Sequence, residues 1–230
     1  MGRRDSDTLL PSFELEAVTL RLSGGPVAGV DEAGRGPWAG PVVAAAVILN
    51  PDDIPEGIND SKALDPETRA SLYEEITARA EFGIGIADVA RIDRDNILQA
   101  TMWAMRRAVS KLKTRPRVVL VDGDRSPRVS CECRTVVGGD GLCLSIAAAS
   151  IVAKVTRDRL MMELAEQFPG YGFERHKGYG TPEHHEAVRR LGVTRHHRRS
   201  WRPVQLALGL EEEVLLCPSS FGARGQTRRV

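Results

Sequence analysis

The chain has 230 residues, of which 42% are hydrophobic and 27% are charged, and its formal net charge is only +1. This composition is typical of a soluble globular protein with one large domain, or a core and a small appendage, and it excludes a disordered chain. No apolar run approaches the ~20 residues of a membrane span, and residues 1–7 are not followed by the apolar stretch of an export signal. We therefore predict a cytoplasmic protein.

In chain order, the sequence predicts a loose lead-in over residues 1–25, with a short amphipathic piece at 13–22. Apolar, β-branched runs then predict strands near residues 27–31, 41–49, 82–89, 117–122 and 133–137. The first two strands flank a loop rich in glycine and proline, as in a hairpin. Helical patterns cover residues 65–80, 93–113, 141–167, 182–191 and 200–210, before an expected flexible tail at 211–230. The alternation predicts an α/β layer fold.

Two adjacent carboxylates, Asp31 and Glu32, follow the first apolar strand and precede Gly34 and Gly36. Successive side chains of a strand point to opposite faces, so the two acids can share a task only at a strand end. Hard divalent cations prefer carboxylate oxygens. The pair therefore indicates a metal site, with a strand cap made of solvated acids as the alternative.

A second apolar run ends at Asp122, which is typical of a buried parallel strand. Ligands collect outside the carboxyl ends of such strands. If the two strands are neighbours, Asp122 joins the first two acids, and their mutual repulsion favours a bound cation. Asp140 precedes a helical segment of small residues, where it is either a helix N-cap or a fourth member of the cluster.

Basic residues are concentrated in the C-terminal third, which suits a phosphate-binding face, although a solvated helix end would look the same. They are Arg189, Arg190, Arg195, His196, His197, Arg198, Arg199 and Arg202. The histidines at 184, 185, 196 and 197 favour phosphate contact or surface exposure over zinc. The cysteines at 131, 133, 143 and 217 have poor zinc spacing, and we expect free thiols.

Six ordered motifs between about residues 27 and 204 make the chain resemble the ribonuclease HII family of bacteria. They are Asp31-Glu32-Ala33-Gly34-Arg35-Gly36-Pro37, Asp60-Ser61-Lys62, Asn96-Ile97-Leu98-Gln99-Ala100-Thr101, Val121-Asp122-Gly123, Asp140 before residues 145–158, and His176-Lys177-Gly178-Tyr179-Gly180-Thr181. Two departures, Ala63 and Trp201, replace a lysine and a phenylalanine that are usual in the family. Neither departure affects the acids.

The resemblance implies a ribonuclease H-like fold, in which a mixed five-stranded sheet flanked by helices forms the core at 26–167. A small C-terminal helical part at 168–210 would bind substrate. The implied enzyme is a monomeric endoribonuclease that hydrolyses the RNA strand of RNA-DNA hybrids. It would also incise duplex DNA on the 5′ side of a single embedded ribonucleotide, leaving 5′-phosphate and 3′-hydroxyl ends.

The resemblance also implies a role for each motif residue. Asp31, Glu32, Asp122 and Asp140 would bind two Mn²⁺ or Mg²⁺ ions. Substrate would be bound by Gly34, Arg35, Gly36, Lys62, Lys177 and Tyr179, with Arg198 and Arg199 as further phosphate contacts. The glycine loop and Tyr179 would read the ribonucleotide, although each alone could be a surface turn. The Asn96, Gln99 and Thr101 side chains could instead be helix caps or core-edge hydrogen bonds.

Two other functions are alternatives to the endoribonuclease. A Holliday-junction resolvase of the same fold would share the acids but lack the Gly-Arg-Gly and tyrosine pair. A catalytically silent hybrid-binding module would be expected to have lost at least one of the four acids, and all four are present. The motifs therefore favour the nuclease.

Overall fold

The computed structural model describes residues 10–209. The strands are β1 (Val27–Ala33), β2 (Val42–Ile48), β3 (Glu81–Ala87), β4 (Val118–Asp122) and β5 (Glu132–Val136). The helices are α1 (Glu14–Ser23), α2 (Pro66–Arg79), α3 (Val89–Ser110), α4 (Leu144–Gln167), α5 (Phe173–His176), α6 (Pro182–Leu191) and α7 (Arg202–Ala207). The expected flexible tail, the end of the last predicted helix and Cys217 lie outside the described residues.

The five strands form one mixed sheet in the order β3-β2-β1-β4-β5. The pairs β1–β2 and β2–β3 are antiparallel, which confirms the predicted hairpin, whereas β1–β4 and β4–β5 are parallel. Pairing with β4 ends at Val30, but pairing with β2 continues to Ala33. Asp31 and Glu32 are therefore inside a strand that is longer than predicted, and they lie beyond its last pair with β4.

Helix α4 lies very close to the sheet. A Cβ atom added to Gly29 of β1 would overlap the backbone of Ser145 and Ile146, so only glycine permits this approach. The small side chains of residues 147–149 are fully buried in the same interface. Helix α3 covers the other face of the sheet, against β2 and β3. The close contact brings the segment just before α4 to the end of β4.

Two predicted helices begin at other residues. Helix α4 begins at Leu144 instead of residue 141, so Asp140 is not its N-cap but lies in a 3-10 turn at Gly139–Gly141. Helix α3 begins at Val89 and is interrupted at Asn96, whose φ is 65°. The Asn96 side chain accepts a hydrogen bond from the Gln99 N–H at 3.1 Å and caps the second half of the helix.

The lead-in is not loose where it is described. Helix α1 is anchored by Glu16, whose Oε1 accepts hydrogen bonds from both the N–H and the hydroxyl of Ser145 at 2.7 Å. Glu16 is buried, as is Thr19 of the same helix. The sequence did not predict this contact between Glu16 and Ser145, which connects α1 to the start of α4.

The cysteines in the described part of the chain are free thiols, as expected. Cys131, Cys133 and Cys143 are free cysteines, and burial raises the pKa of Cys143 to about 12. Between residues 10 and 209, no helix is both long enough and apolar enough to cross a membrane.

Candidate active site

The four predicted acids come from three parts of the chain that meet where β4 ends. Asp31 and Glu32 are on β1, Asp122 is the last residue of β4, and Asp140 lies in the 3-10 turn before α4. A cavity of 260 Å³ opens at this edge and is lined by Asp31, Glu32, Ala33, Gly34, Arg35, Gly36, Ser61, Lys62, Asp122, Lys154, Arg157 and Tyr179. The structure thus gathers most of the predicted site residues around one cavity.

Burial, and to a smaller extent neighbouring carboxylates, raises the pKa values of Asp31, Glu32 and Asp122. Burial, followed by the charges of Glu32 and Asp122, raises the pKa of Asp31, which is only 5% exposed. Burial also raises the pKa of Glu32, although the positive charge of Arg35 at 3.4 Å opposes this shift. The pKa of Asp122 is raised by burial and by the charge of Asp140. In the metal-free protein, ionised carboxylates at this edge are therefore held in an unfavourable environment.

Lys62 is the nearest cation to Asp140. Its ammonium group donates a hydrogen bond to Asp140 Oδ2 at 3.0 Å, although the Lys62 side chain is otherwise 77% exposed. Burial lowers the pKa of Lys62, but the hydrogen bond and charge of Asp140 outweigh this and raise it. Asp122 Oδ1 in turn accepts the Gly139 N–H at 2.7 Å. These two contacts fix the 3-10 turn that carries Asp140 against the end of β4.

The donor set suits a hard divalent cation. Among the described residues, no three His, Cys, Asp or Glu side chains already converge as ligands of one ion. The available donors are nevertheless all carboxylate oxygens, which Mg²⁺ and Mn²⁺ prefer. A bound cation would also relieve the repulsion that raises the pKa values of Asp31 and Asp122. The donor chemistry of the site therefore fits a hard divalent cation.

Two buried arginines contact the Gly34-Arg35-Gly36 loop from the protein interior. Gly34 has a φ of 95°, and a Cβ atom there would overlap the Arg157 guanidinium. Arg157 donates hydrogen bonds to the carbonyl oxygens of Ala39 and Pro41. Arg198 donates to the carbonyl oxygens of Gly34 at 2.5 Å and Arg35 at 2.7 Å. The glycine at position 34 is thus required by both its φ value and its packing.

The prediction that Arg198 contacts phosphate is wrong. It is completely buried, and burial lowers the pKa of its guanidinium to about 9, with the charge of Arg157 as a smaller cause. The sequence showed its charge but not the loop carbonyls that surround it. Arg199 beside it is exposed, while its backbone N–H is bound by Asp93 at 3.0 Å. Of the two predicted phosphate contacts, only the Arg199 side chain can reach a ligand.

Tyr179 lies opposite the glycine loop. Its side chain is 46% exposed, and a Cβ atom added to Gly36 would lie 3.6 Å from Tyr179 Cε1. The Arg157 guanidinium lies 5.9 Å from the centre of the tyrosine ring. The Tyr179 ring and the backbone at Gly36 therefore form two sides of a slot at the mouth of the acid-lined cavity.

A pair of buried histidines supports the turn that carries Tyr179. The Thr194 N–H donates to His197 Nδ1 at 3.0 Å, so His197 must carry its proton on Nε2. That proton is donated to His184 Nε2 at 3.0 Å, and His184 Nδ1–H then donates to the Tyr179 carbonyl oxygen at 2.9 Å. Burial lowers the pKa of both histidines to about 4. They are neutral supports, and the expected phosphate contact or surface exposure is wrong for both.

Lys177 is placed differently from its prediction. Its ammonium group contacts the Glu174 carbonyl oxygen and the Met162 sulfur instead of lining the acid-lined cavity. Lys154 lines the cavity instead, paired with Asp158 at 2.7 Å. Lys154 and Arg157 were not predicted as site residues. The available signal was their charge directly after the apolar, small-residue stretch at residues 144–153 of α4.

Comparison with known proteins identifies the family. The model of the ribonuclease HII family matches residues 28–204. The chain belongs to the ribonuclease HII family. It is 58% identical over 202 residues to the ribonuclease HII of Nitrobacter hamburgensis, covering 88% of this chain and 76% of that protein. The ribonuclease HII of Azorhizobium caulinodans is 60% identical over 207 residues, with 89% and 80% covered.

Solved structures agree with the ribonuclease HII assignment. Ribonuclease H2 from Pyrococcus horikoshii has a TM-score of 0.69 and 26% identity, with 81% of this chain and 98% of that chain covered. Archaeoglobus fulgidus ribonuclease HII, in its complex with PCNA, has a TM-score of 0.66 and 27% identity, with 77% and 95% covered. Bst-RNase HIII in complex with Mn²⁺ shares the fold, with a TM-score of 0.69, at 18% identity over 92% and 75% of the two chains.

Family membership confirms the predicted fold and enzyme class. As a ribonuclease HII, the chain is a metal-dependent nuclease that hydrolyses the RNA of RNA-DNA hybrids. The resolvase and the silent binding module are thereby excluded.

Proposed function

We propose that this ribonuclease HII also incises duplex DNA on the 5′ side of a single embedded ribonucleotide, leaving 5′-phosphate and 3′-hydroxyl ends. The observation that carries the proposal is the slot between Gly36 and Tyr179, which opens beside Asp31, Glu32 and Asp122. One ribose can occupy a slot of this kind without an extended RNA strand.

The glycine loop directs hydrogen-bond donors away from the protein interior. In a trans peptide, the C=O of one residue and the N–H of the next point in opposite directions. Arg198 holds the carbonyl groups of Gly34 and Arg35 inside the protein, so the N–H groups of Arg35 and Gly36 point outward. Neither N–H group has a hydrogen-bond partner between residues 10 and 209. They are suitable donors to a ribose 2′-hydroxyl, the group that distinguishes RNA from DNA.

We further propose that Asp31, Glu32, Asp122 and Asp140 hold two Mn²⁺ or Mg²⁺ ions. When bound, such a pair supplies an activated water and stabilises the leaving oxygen. Lys62, whose ammonium group contacts Asp140, would bind a substrate phosphate. The exposed side chain of Arg35 lies near Glu32 and can contact the same substrate strand.

The test is cleavage of a DNA duplex that carries one ribonucleotide, with both product ends mapped. We expect a single nick 5′ of the ribonucleotide with a 3′-hydroxyl end, and no cleavage of the matched duplex that lacks the 2′-hydroxyl. A nick on the 3′ side, or cleavage of long hybrids alone, would contradict the proposal.

Arg198 and Arg199 are expected to behave differently when replaced. Arg199→Ala should lower the slope of log affinity against log salt by up to about 0.9, as for one lost phosphate contact. Arg198→Met leaves buried carbonyl groups unpaired, at roughly 1–3 kcal/mol for such a group, and should lower the melting temperature by about 2–12 °C. Salt titrations and thermal melts of both variants check this. A changed salt slope with an unchanged melting temperature in Arg198→Met would contradict the structural role.

We expect a monomeric, cytoplasmic protein with a catalytic core and a substrate-binding C-terminal part. A monomeric state can be checked by sedimentation. A cytoplasmic location can be checked by fractionation of cells. The boundary near residue 168 between a catalytic core and a substrate-binding part can be checked by measuring hybrid binding by the separated core.

A further inference from the structure

Three adjoining grooves lie along the segment that joins β4 to β5, and two of them lie between that segment and α3. The first, of 640 Å³, is lined by Leu98, Gln99, Met102, Arg106, Asp124, Arg125, Ser126 and Arg128. The second, of 340 Å³, shares Arg106 and Arg128 with the first and extends to Arg115. The third, of 400 Å³, shares Arg115 and reaches Arg117. Because neighbouring grooves share residues, they form one continuous surface, which we call the basic groove.

The basic groove concentrates positive charge in a chain whose net charge is only +1. Its six cations are Arg106, Lys113, Arg115, Arg117, Arg125 and Arg128, and its two acids are Asp124 and Glu132. Asp124 lies 3.7 Å from Arg125, and Glu132 is paired at 2.7 Å with Arg134 outside the groove. The charge of Lys113 also acts on Glu81, whereas Arg106, Arg117 and Arg128 form no ion pair with any residue from 10 to 209.

Two central cations have no protein partner. Arg106 and Arg128 make no hydrogen bond or ion pair with any residue from 10 to 209, although Arg106 is half-buried on α3. A partly desolvated guanidinium has five donors and is stabilised by an anionic ligand, most of all by carboxylate or phosphate. The two arginines stand together in the first two grooves, where one ligand could bind both.

The basic groove starts at the same edge of the sheet as the acids. Asp124, at one end of the groove, follows Asp122 by two residues, and Arg117, at the other end, directly precedes β4. The groove therefore follows the length of β4, about 17 Å for five residues. One strand of a duplex carries about five phosphates over that length, at ~3.4 Å each. The end of the groove at Asp124 is thus two residues from Asp122, which lines the acid-lined cavity.

We propose that the basic groove binds the phosphodiester backbone of the substrate beyond the cleaved ribonucleotide. The inference rests on the proposed function only in placing the substrate at the acids. Guanidinium contacts to phosphates carry no base information, so this binding is independent of sequence. The chemistry is the same for a continuing duplex and for an unpaired strand, and the experiment distinguishes these two sources.

The test is equilibrium binding without divalent metal, so that no cleavage occurs, measured by fluorescence anisotropy. A short RNA-DNA hybrid is compared with the same hybrid extended by duplex DNA and by a single-stranded overhang. For the wild type, we expect tighter binding with one of the extensions. For Arg106→Ala/Arg128→Ala, we expect that gain to disappear and the salt slope to fall by about 1.8 for a duplex or about 1.4 for a single strand.

Arg21→Ala provides the matched control, because Arg21 is exposed on α1 and does not line the basic groove. It should keep both the gain in affinity and the salt slope. The proposal is overturned if neither extension improves binding, if the double variant keeps the gain, or if Arg21→Ala loses as much. A failure of the proposed function would instead show as absent cleavage at an embedded ribonucleotide while the extension still tightens binding.

Discussion

Asp31→Asn, Glu32→Gln, Asp122→Asn and Asp140→Asn are each expected to reduce hybrid cleavage at least about a hundredfold while the protein remains folded. Metal ions contribute several kcal/mol to transition-state stabilisation, and each 1.36 kcal/mol is about tenfold in rate. An amide retains the size of the carboxylate but not its charge. Single-turnover kinetics at saturating Mn²⁺ measure the cleavage rate, and circular dichroism shows whether each variant is folded. Near-normal cleavage by Asp122→Asn would contradict the assignment of the acids.

The metal-free stability of these variants provides a second measurement. Because the pKa of Asp31 is raised in the folded state, its ionised form destabilises the folded protein at pH values above that pKa, and the penalty disappears as the pH falls through it. Asp31→Asn should therefore raise the melting temperature at pH 7 and have less effect at low pH. Asp140→Asn should not share this gain, because Lys62 already pairs with Asp140.

Metal binding should make the wild type more stable than Asp31→Asn. A ligand that binds only the folded state stabilises it by about 2.7 kcal/mol at a hundred times its dissociation constant. Mn²⁺ should thus raise the melting temperature of the wild type more than that of Asp31→Asn. Equal shifts for both proteins would indicate that Asp31 does not hold the ion.

Tyr179→Ala is expected to lower cleavage of a single embedded ribonucleotide by about 5- to 150-fold, with a much smaller effect on duplex binding. The range corresponds to roughly 1–3 kcal/mol for the loss of one stacked aromatic ring. Tyr179→Phe should separate the ring from its hydroxyl group. The measurement compares single-turnover rates and affinities on matched substrates with and without the 2′-hydroxyl. Wild-type cleavage by Tyr179→Ala would make Tyr179 an ordinary surface residue.

The buried histidines allow a sharper test of how Tyr179 is positioned. His184→Asn keeps a donor near the place of Nδ1, which binds the Tyr179 carbonyl oxygen, whereas His184→Gln keeps an acceptor near the place of Nε2 and loses that donor. We expect the glutamine variant to lose more cleavage at the embedded ribonucleotide. Combined with Tyr179→Ala, it should cause no further loss. Additive losses would show that His184 acts independently of the tyrosine.

The sequence by itself determined the class of fold, the five strands and the four acids. These features depend on local patterns: β-branched runs that end in an acid, and a long helix of small residues. Asp31, Glu32 and Asp122 could be placed together because the carboxyl ends of neighbouring parallel strands share one edge. The ordered motifs then indicated the family, which the match to residues 28–204 confirmed.

Only the tertiary structure decided what the charged residues of the C-terminal third do. Arg198 and His197 are adjacent to exposed Arg199, and nothing in the local pattern separates the buried residues from the exposed one. Their partners, the Gly34 and Arg35 carbonyl groups and His184, lie far away along the chain or on another helix. Such contacts depend on how the C-terminal helices pack against the glycine loop, since local periodicity reports which face of an element is buried but not which distant backbone group it meets.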